Sequence, residues 1–321
     1  MNEINDVKLN LISKISVMKN RKIGICCSVL ILNPFKLILF GLKNGEIIFY
    51  SYPEFDKVYS FQEHFKSINY ICELNQNIIS TASDDKTIKI IELNFKKINN
   101  NIIDYKYKVI QIIFSHTHYV NKIISINNNK FISCSQDHSI KIWNKKSLDQ
   151  NYQLENTISV HFGRVVSIEK INNNEFVSSS WSEKIIYFFN INFYNIIANI
   201  KISGNYTSES ICVINNKTLI IGGIGNFFLI DIEKHELIKI FENNENYFSI
   251  HSINNNLFIC GSYNGYESII SIKSLLNNEL NIVCENKRNH KFNITTILKI
   301  NNQNFISGSE DGSFIFWKIN K

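Results

Sequence analysis

The stretch that decides the fold is SCSQDHSIKIWN, residues 133–144. It begins with small residues, turns at Asp137 and continues as an alternating apolar run that ends in Trp143 and Asn144. Small and polar residues around an Asp favour a tight turn, and the run that follows has the alternation of a half-buried strand. Two related stretches are TASDDKTIKIIE (81–92) and SGSEDGSFIFWK (307–318). Three copies of one strand–turn–strand pattern indicate an internal repeat.

A histidine precedes this pattern at a constant distance. Four of the eight histidines lie 21 residues before an Asp or Ser landmark, and each begins the pattern H-x-x-x-[IV]-x-x-I. Such agreement in spacing is difficult to obtain by chance. The four pairs are His64 with Asp85, His116 with Asp137, His161 with Ser182, and His290 with Asp311.

A turn rich in Asn lies between each histidine position and its landmark. Seven times an apolar run ends in Leu-Asn or Ile-Asn, and a second apolar run follows, which predicts a β-hairpin with Asn in the left-handed conformation. The landmarks that follow these turns are 39 to 52 residues apart, so seven units fill nearly the whole chain. The seven turns begin at residues 33, 75, 127, 172, 215, 254 and 301.

Composition agrees with a β protein. The 321 residues include 60 Ile and 48 Asn, but only 12 Gly and 2 Pro. The high content of large apolar residues excludes a disordered chain, and the low Gly and Pro contents exclude collagen-like and Pro-rich chains. Ile favours strands and Asn favours turns, whereas a coiled coil would be rich in Ala, Leu and Glu.

These residues resemble the WD40 family, in which a loop His precedes S-x-S-x-D-x-[ST]-I-x-I-W at a period of about 40–45 residues. The resemblance covers essentially the whole chain and is strongest in repeats 2, 3 and 7. Repeat 4 has Ser182 and Phe188 in place of Asp and Trp, and repeat 5 (GGIGNFFLID) lacks His, Asp and Trp. The resemblance implies an all-β, seven-bladed β-propeller of four-stranded blades, formed as a single domain over residues 1–321.

Two segments fall outside the repeat pattern. Trp317 lies in the third strand of the last repeat, so we expect residues 1–20, with their strand-like piece at 7–18, to supply the outer strand and close the ring. Residues 94–107 (NFKKINNNIIDYKY) lengthen the connection between repeats 2 and 3 and include three consecutive Asn. We expect this insert to be a flexible, Asn-rich low-complexity segment.

His, Ser and Asp recur together, and these are the side-chain types of a nucleophilic triad. A triad is needed once, whereas this set recurs along the chain and precedes a strand Trp. The WD40 resemblance implies a structural tetrad instead, in which Asp bonds His, His bonds a strand hydroxyl, and that hydroxyl reaches the Trp N–H. The sequence leaves open Ser133 or Ser135, and Ser307 or Ser309. The tetrad candidates are His64, Asp85, His116, Ser135, Asp137, Trp143, His161, His290, Ser309, Asp311 and Trp317.

Enzymatic signatures are absent from the sequence. There is no G-x-x-x-x-G-K-[ST], G-x-S-x-G or H-E-x-x-H motif. The pair His116-Thr-His118 has no third ligand near it in sequence and is a weak metal signal. We therefore predict a non-enzymatic protein without cofactor, metal or small-molecule substrate.

The cysteines and the N-terminal residues indicate the compartment. None of the seven cysteines forms a C-x-x-C pair, and the first twenty residues contain no apolar signal segment. Both features predict the cytoplasm, with the nucleus as the alternative. Residues 23–42 are long and apolar enough for a membrane span, but Asn33, Pro34 and Lys36 interrupt them. Two strands joined by an Asn-Pro turn fit this segment better, so we predict no membrane insertion.

The WD40 resemblance also implies a binding surface. Propellers of this family mostly act as interaction platforms, through the His loops and Asp turns around the channel mouth. The matching positions lie three and five residues after each His and one before each Asp, and several carry residue types that are typical of binding hot spots. The partner-binding candidates are Tyr119, Arg164, Trp181, Tyr263, Ser67, Asn69, Asn121, Gln136, Asn293 and Glu310.

The sequence therefore predicts a scaffold that binds other proteins or short peptide motifs as a subunit of a larger eukaryotic complex. Its net charge is +6, from 34 Lys and Arg against 28 Asp and Glu, and the basic residues are scattered. The alternative is a propeller associated with RNA or ribonucleoprotein through a basic face. Clustering of Lys and Arg on one side would favour that alternative.

Overall fold

The computed structural model describes residues 8–16, 26–32, 36–98, 101–147, 150–202 and 207–320. Every regular element in these ranges is a β-strand, and no helix among them could span a membrane. Contacts divide the chain into two compact units, residues 27–168 and residues 1–26 with 169–321.

The first four sheets each contain four strands that are consecutive in sequence. Residues 26–42, where the sequence favoured two strands, contain β2 and β3; the Asn33–Pro34 turn lies outside the described residues. The sheets are β2 (Cys26–Leu32), β3 (Leu37–Leu42), β4 (Glu46–Ser51) and β5 (Lys57–Gln62); β6 (Ile68–Asn75), β7 (Ile78–Ser83), β8 (Ile88–Ile98) and β9 (Asn101–Ile113); β10 (Val120–Asn127), β11 (Lys130–Ser135), β12 (Ile140–Asn144) and β13 (Gln153–Ile158); and β14 (Val165–Lys170), β15 (Glu175–Ser180), β16 (Ile185–Asn190) and β17 (Ile196–Lys201).

The remaining strands form two further sheets. One has six strands and the other has four, in the order β1-β26-β25-β24. Successive antiparallel meanders of this kind make the fold class an all-β propeller. The strands are β18 (Ser208–Val213), β19 (Thr218–Asp231), β20 (Glu236–Ser252), β21 (Leu257–Tyr263), β22 (Ser268–Leu276) and β23 (Glu279–Lys287); and β24 (Ile294–Lys299), β25 (Asn304–Ser309), β26 (Ser313–Asn320) and β1 (Lys8–Ser16).

The predicted seven separate blades are not confirmed. The described residues form five four-stranded sheets, and repeats 5 and 6 share the six-stranded one. In repeats with a His loop, the loop separates an outer strand from the next inner strand. The segment between repeats 5 and 6 is Glu242-Asn-Asn-Glu-Asn246 and contains no His, and β20 runs through it for 17 residues without interruption.

The Asn-rich turns are closed mainly by hydrogen bonds to Asn side chains and less by Asn residues with left-handed backbone. In five of them, the side-chain oxygen of the first Asn accepts the backbone N–H two residues later, at 2.8–3.0 Å. Positive φ, which the sequence had suggested for Asn, occurs at Asn77 but not at these five residues. Asn is therefore favoured here as a side-chain acceptor that closes the turn. The five are Asn127, Asn172, Asn215, Asn254 and Asn301.

Apolar side chains fill the space between neighbouring sheets. Within residues 27–168, one cluster joins Leu39 and Phe49 of the first sheet to Ile71 and Ile91 of the second, each at most 2% exposed. Similar clusters join repeat 4 to repeat 5, and repeat 6 to the last repeat. The alternating Ile residues thus form the contact between sheets.

Residues 94–107 differ from the flexible insert that the sequence suggested. β8 and β9 continue into this segment and remain paired as far as Ile98 and Asn101, while residues 99–100 lie outside the described part. The ring of Tyr107 stacks on Phe61 of β5, with ring centres 3.7 Å apart. Aromatic packing therefore stabilises paired strands in a segment whose Asn-rich composition is typical of loops.

Strand β1 lies at the edge of the last sheet, antiparallel to β26. Their register runs from Lys8 opposite Asn320 to Ser16 opposite Ser313, with one irregularity near the middle. Leu9 packs against the apolar cluster that contains Trp317. This sheet therefore takes three strands from residues 294–320 and one from residues 8–16.

Candidate functional site

A hydrogen-bonded network connects the His loop, the turn and two strands of the third sheet. His116 Nδ1 lies 2.8 Å from the Asp137 carboxylate, and His116 Nε2 lies 2.8 Å from the Ser133 hydroxyl. The Trp143 indole N–H donates to the same hydroxyl oxygen at 2.9 Å. Ser139, directly before β12, donates to Asp137 at 2.6 Å. Each buried polar group of the set is therefore hydrogen-bonded within its own sheet.

The charge state of the network follows from burial and hydrogen bonding. Burial would raise the pKa of the Asp137 carboxyl, but the hydrogen bond from His116 and further donors hold that pKa well below its usual range. Burial lowers the pKa of His116 despite the adjacent carboxylate. At neutral pH the carboxylate is charged and the imidazole is neutral, so Nδ1–H donates to Asp137 and Nε2 accepts from Ser133.

Two other sheets repeat this arrangement. His64 bonds Asp85 and Thr81 at 2.7 Å each, and the strand position of Trp is occupied by Ile91. In the last sheet His290 bonds Ser307 at 2.7 Å, and the Trp317 N–H donates to Ser307 at 2.8 Å. The backbone N–H of Lys291 reaches the Asp311 carboxylate at 2.7 Å, and the nearest oxygen of that carboxylate lies 3.6 Å from His290 Nδ1. His161 of repeat 4 is buried, at 4% exposure.

The serines assigned from sequence were wrong in both complete tetrads. Ser133 and Ser307 bond His and Trp, whereas Ser135 and Ser309 accept the N–H of the turn Asp at 3.0 and 3.2 Å. Residues two apart on a strand point to the same face of the sheet, so the strand pattern does not show which of the two serines bonds His and Trp. Ser135 ends β11 and bonds the turn and the His118 carbonyl, at 3.2 Å, whereas Ser133 lies within reach of the indole.

The two alternating serines provide a matched test. Replacing Ser133 by Ala should lower the free energy of unfolding by about 1–3 kcal/mol, because two buried groups lose their hydrogen-bond partner. These groups are His116 Nε2 and the Trp143 indole N–H. Replacing Ser135 by Ala should cost less, since it removes a turn contact and leaves the His–Trp link. Urea unfolding of both variants measures the difference. An equal or larger loss in Ser135→Ala would contradict this assignment.

Each network has a fifth member that was not among the residues named from sequence. Thr87, Ser139 and Ser313 donate to the turn Asp and lie within 3.4 Å of the His Nδ1. The sequence carries a signal for this member, since a Ser or Thr lies two residues after each of the three Asp residues.

The networks do not expose a nucleophile. Ser133 is fully buried, so its oxygen is not accessible to a substrate. The recurring His, Ser and Asp residues therefore have a structural role.

Several predicted partner contacts have internal partners instead. The Asn69 amide donates to the Val120 carbonyl at 2.9 Å, and the Asn121 amide donates to the Val165 carbonyl at 2.7 Å. Both bonds link the first strand of one sheet to the first strand of the next. Ser67 is buried.

Other predicted contacts hydrogen-bond to the turns. The Gln136 amide lies 3.5 Å from the Asn121 oxygen, and the Asn293 amide donates to Glu310 at 3.0 Å. The Tyr263 hydroxyl donates to the Gly265 carbonyl at 3.2 Å. These half-buried side chains stabilise the turns.

Trp181 is 41% exposed and donates its indole N–H to Glu209 at 2.7 Å. Burial raises the pKa of Glu209 to about 7, and the bond from Trp181 acts in the opposite direction. The indole is thus held in a fixed orientation with two fifths of its surface accessible.

Comparison with known protein families gives a match for one segment of the chain. The sequence profile of the WD domain, G-beta repeat, matches residues 107–144, which contain His116, Ser133, Asp137 and Trp143. This segment is similar to a WD40 repeat, and the succession of small antiparallel sheets supports a WD40-repeat family. A comparison with curated proteins gave no significant match. WD40 propellers generally act as non-catalytic scaffolds for protein interaction, and this role is the one that the family supports for this chain.

The most exposed aromatic residues of the WD40 His loops were missed from sequence. Phe65 and Phe162 each follow a tetrad-position His directly and are 90% and 88% exposed. Arg164 is exposed, and Tyr119 is half-buried with the Lys66 ammonium 5.7 Å from its ring centre. An aromatic residue directly after a loop His was the available signal.

Proposed function

We propose that this WD40 protein is a non-catalytic scaffold that binds proteins or peptides through its His loops and Asp turns, as a subunit of a larger eukaryotic assembly in the cytoplasm. The observation that carries the proposal is Phe65, which is 90% exposed on the His64 loop. Folding leaves this ring in water, and large exposed aromatic residues are typical of contact surfaces. Tyr119 and Arg164 add two further hot-spot residue types.

We also infer that the six-stranded sheet represents two repeats, which would give seven blades. Residues 236–246 of β20 pair with β19, and residues 246–252 pair with β21. One long strand therefore serves as the outer strand of repeat 5 and the inner strand of repeat 6. The pairing of β1 with β26 is consistent with closure of such a ring by the N-terminal strand.

Affinity purification from source cells followed by mass spectrometry tests the scaffold role. The double variant Phe65→Ser with Arg164→Ala should lose the proteins that the wild-type chain recovers, while its melting temperature stays the same. The control is Phe193→Ser with Lys146→Ala. Phe193 is 79% exposed in the loop after β16, at the end of the sheet that carries the Asn turns.

Recovery of the same proteins by the His-loop variant would exclude this surface as the binding site. Recovery of RNA in place of specific proteins, lost at high salt, would favour the ribonucleoprotein alternative.

A further inference from the structure

The exposed side chains around the His64 loop belong to one continuous surface. The turn that carries Lys43 meets this loop, since a Cβ at Gly45 would lie 2.0 Å from the His64 carbonyl oxygen. The Gln62 amide spans the same junction, donating to the Asn44 carbonyl at 2.9 Å.

The surface continues toward repeats 3 and 4 of the same unit. The Lys66 ammonium lies over the Tyr119 ring, and the Gln136 backbone N–H donates to the Tyr119 carbonyl at 2.9 Å. The Asn121 amide bonds the carbonyl of Val165, the neighbour of Arg164. We call this the His-loop surface; its exposed or half-exposed members are Lys43, Phe65, Lys66, Tyr119, Phe162 and Arg164.

The outward charges of the His-loop surface are positive. Lys43, Lys66 and Arg164 are exposed, whereas Asp84, Asp85 and Asp137 are half-buried. Asp85 and Asp137 accept hydrogen bonds from buried histidines.

Among the described carboxylates of this region, Asp84 lies close enough to Lys66 and Lys43 to feel their charge. Its side chain accepts from the Asn69 amide at 2.7 Å. Burial raises its pKa, and the positive charges of Lys66 and Lys43 oppose this rise. Asp84 therefore has an internal hydrogen-bond partner, and Lys43 and Lys66 remain exposed.

We propose that the His-loop surface binds an extended acidic peptide, with Asp or Glu side chains on Lys66 and Arg164 and an apolar side chain on Phe65. This inference rests on the proposed function and specifies the chemistry of the partner. On the protein, separated positive charges lie beside an exposed aromatic ring. A peptide in which acidic residues flank an apolar residue complements this arrangement. A continuous phosphate backbone fits less well, because the cations are separated along the surface and an exposed apolar ring lies beside them.

Selection of random displayed peptides on the full-length chain tests the proposal. Peptides of about 12 residues span about 40 Å when extended, enough to follow the surface. Enriched sequences should contain several Asp or Glu residues and one aromatic or large aliphatic residue. Their labelled synthetic forms should bind roughly tenfold more weakly, or worse, to Lys66→Glu with Arg164→Glu. Their affinity should also fall as salt rises.

The matched control is Lys36→Glu with Lys146→Glu. Lys36 precedes β3 and Lys146 follows β12, so both exposed lysines lie at the ends of their strands away from the His-loop surface. This control should bind the selected peptides with wild-type affinity, and urea unfolding should give equal midpoints for both double variants.

Three results would overturn the inference. One is enrichment of neutral or basic peptides, which would leave the scaffold function intact. Another is binding that the Lys66→Glu, Arg164→Glu variant retains. The third is tighter binding of a labelled oligouridine than of every selected peptide. If no peptide is enriched at all, the peptide-binding function itself fails.

Discussion

Deletion of residues 1–20 is expected to lower the free energy of unfolding by about 2–8 kcal/mol. The deletion removes the eight cross-strand pairs between β1 and β26, and each such pair contributes roughly 0.2–1 kcal/mol. It also uncovers the apolar cluster of Trp317 that Leu9 covers. Urea unfolding followed by tryptophan fluorescence measures the change.

A peptide of residues 1–20 added to the shortened chain provides the control. It should restore the unfolding midpoint in a concentration-dependent manner, because a ligand that binds only the folded state stabilises it by mass action. The shortened chain should also aggregate more readily, since β26 becomes an unpaired edge. An unchanged midpoint after deletion would show that β1 contributes nothing to stability.

Replacement of His116 by Ala is expected to cost about 3 kcal/mol or more, because it removes one partner from a buried ionic network. The Asp137 carboxylate loses its ring donor, and the Ser133 hydroxyl loses its acceptor. The imidazole also leaves a cavity beneath the loop. Thr117→Ala is the control, since that side chain is exposed and only its backbone N–H contacts Asp137.

The pH dependence of unfolding gives a second readout for His116. Its pKa in the folded state is lowered from the usual 6.5, so the unfolded state binds more protons below that pH. Stability is therefore full above about pH 6.5 and is lost as pH falls toward the folded pKa. Asp137 adds a loss below about pH 4, because its folded pKa is also depressed.

Unfolding midpoints between about pH 7.5 and pH 5 should thus fall less for His116→Ala than for the wild-type chain. Equal slopes would mean that His116 is not held neutral by burial.

Much of the repeat could be predicted from sequence because it depends on local rules. A strand needs alternation and a turn needs Asn, Asp or Gly, and both signals are short-range. Three members of the repeat 3 tetrad, His116, Asp137 and Trp143, were named through the WD40 resemblance, whose motif has a fixed spacing. The choice between Ser133 and Ser135 could not be predicted, because both point to the same side and only the depth of Trp143 separates them.

The exposed binding residues were harder to predict than the strand and turn repeat. Asn69 and Asn121 look like available contact residues in the sequence, yet their amides bond carbonyls of the neighbouring sheet. Those carbonyls are 51 and 44 residues away along the chain, so no local pattern reveals them. The exposed Phe65 was missed because apolar residues are expected in cores, and exposure depends on what the rest of the chain leaves uncovered.

The sequence alone determined the strand and turn repeat, the all-β class and the residues that can form the networks, because alternation, turn chemistry and spacing act over a few residues. The tertiary structure decided which serine completes each network, that repeats 5 and 6 share a sheet, and that β8 and β9 stay paired as far as Ile98 and Asn101. These outcomes depend on contacts between residues far apart in the chain, where packing overrides local propensity. The pair of β8 and β9 shows this most directly: the Asn-rich composition of residues 94–107 favours a loop, but Tyr107 of β9 stacks on Phe61 of the neighbouring sheet.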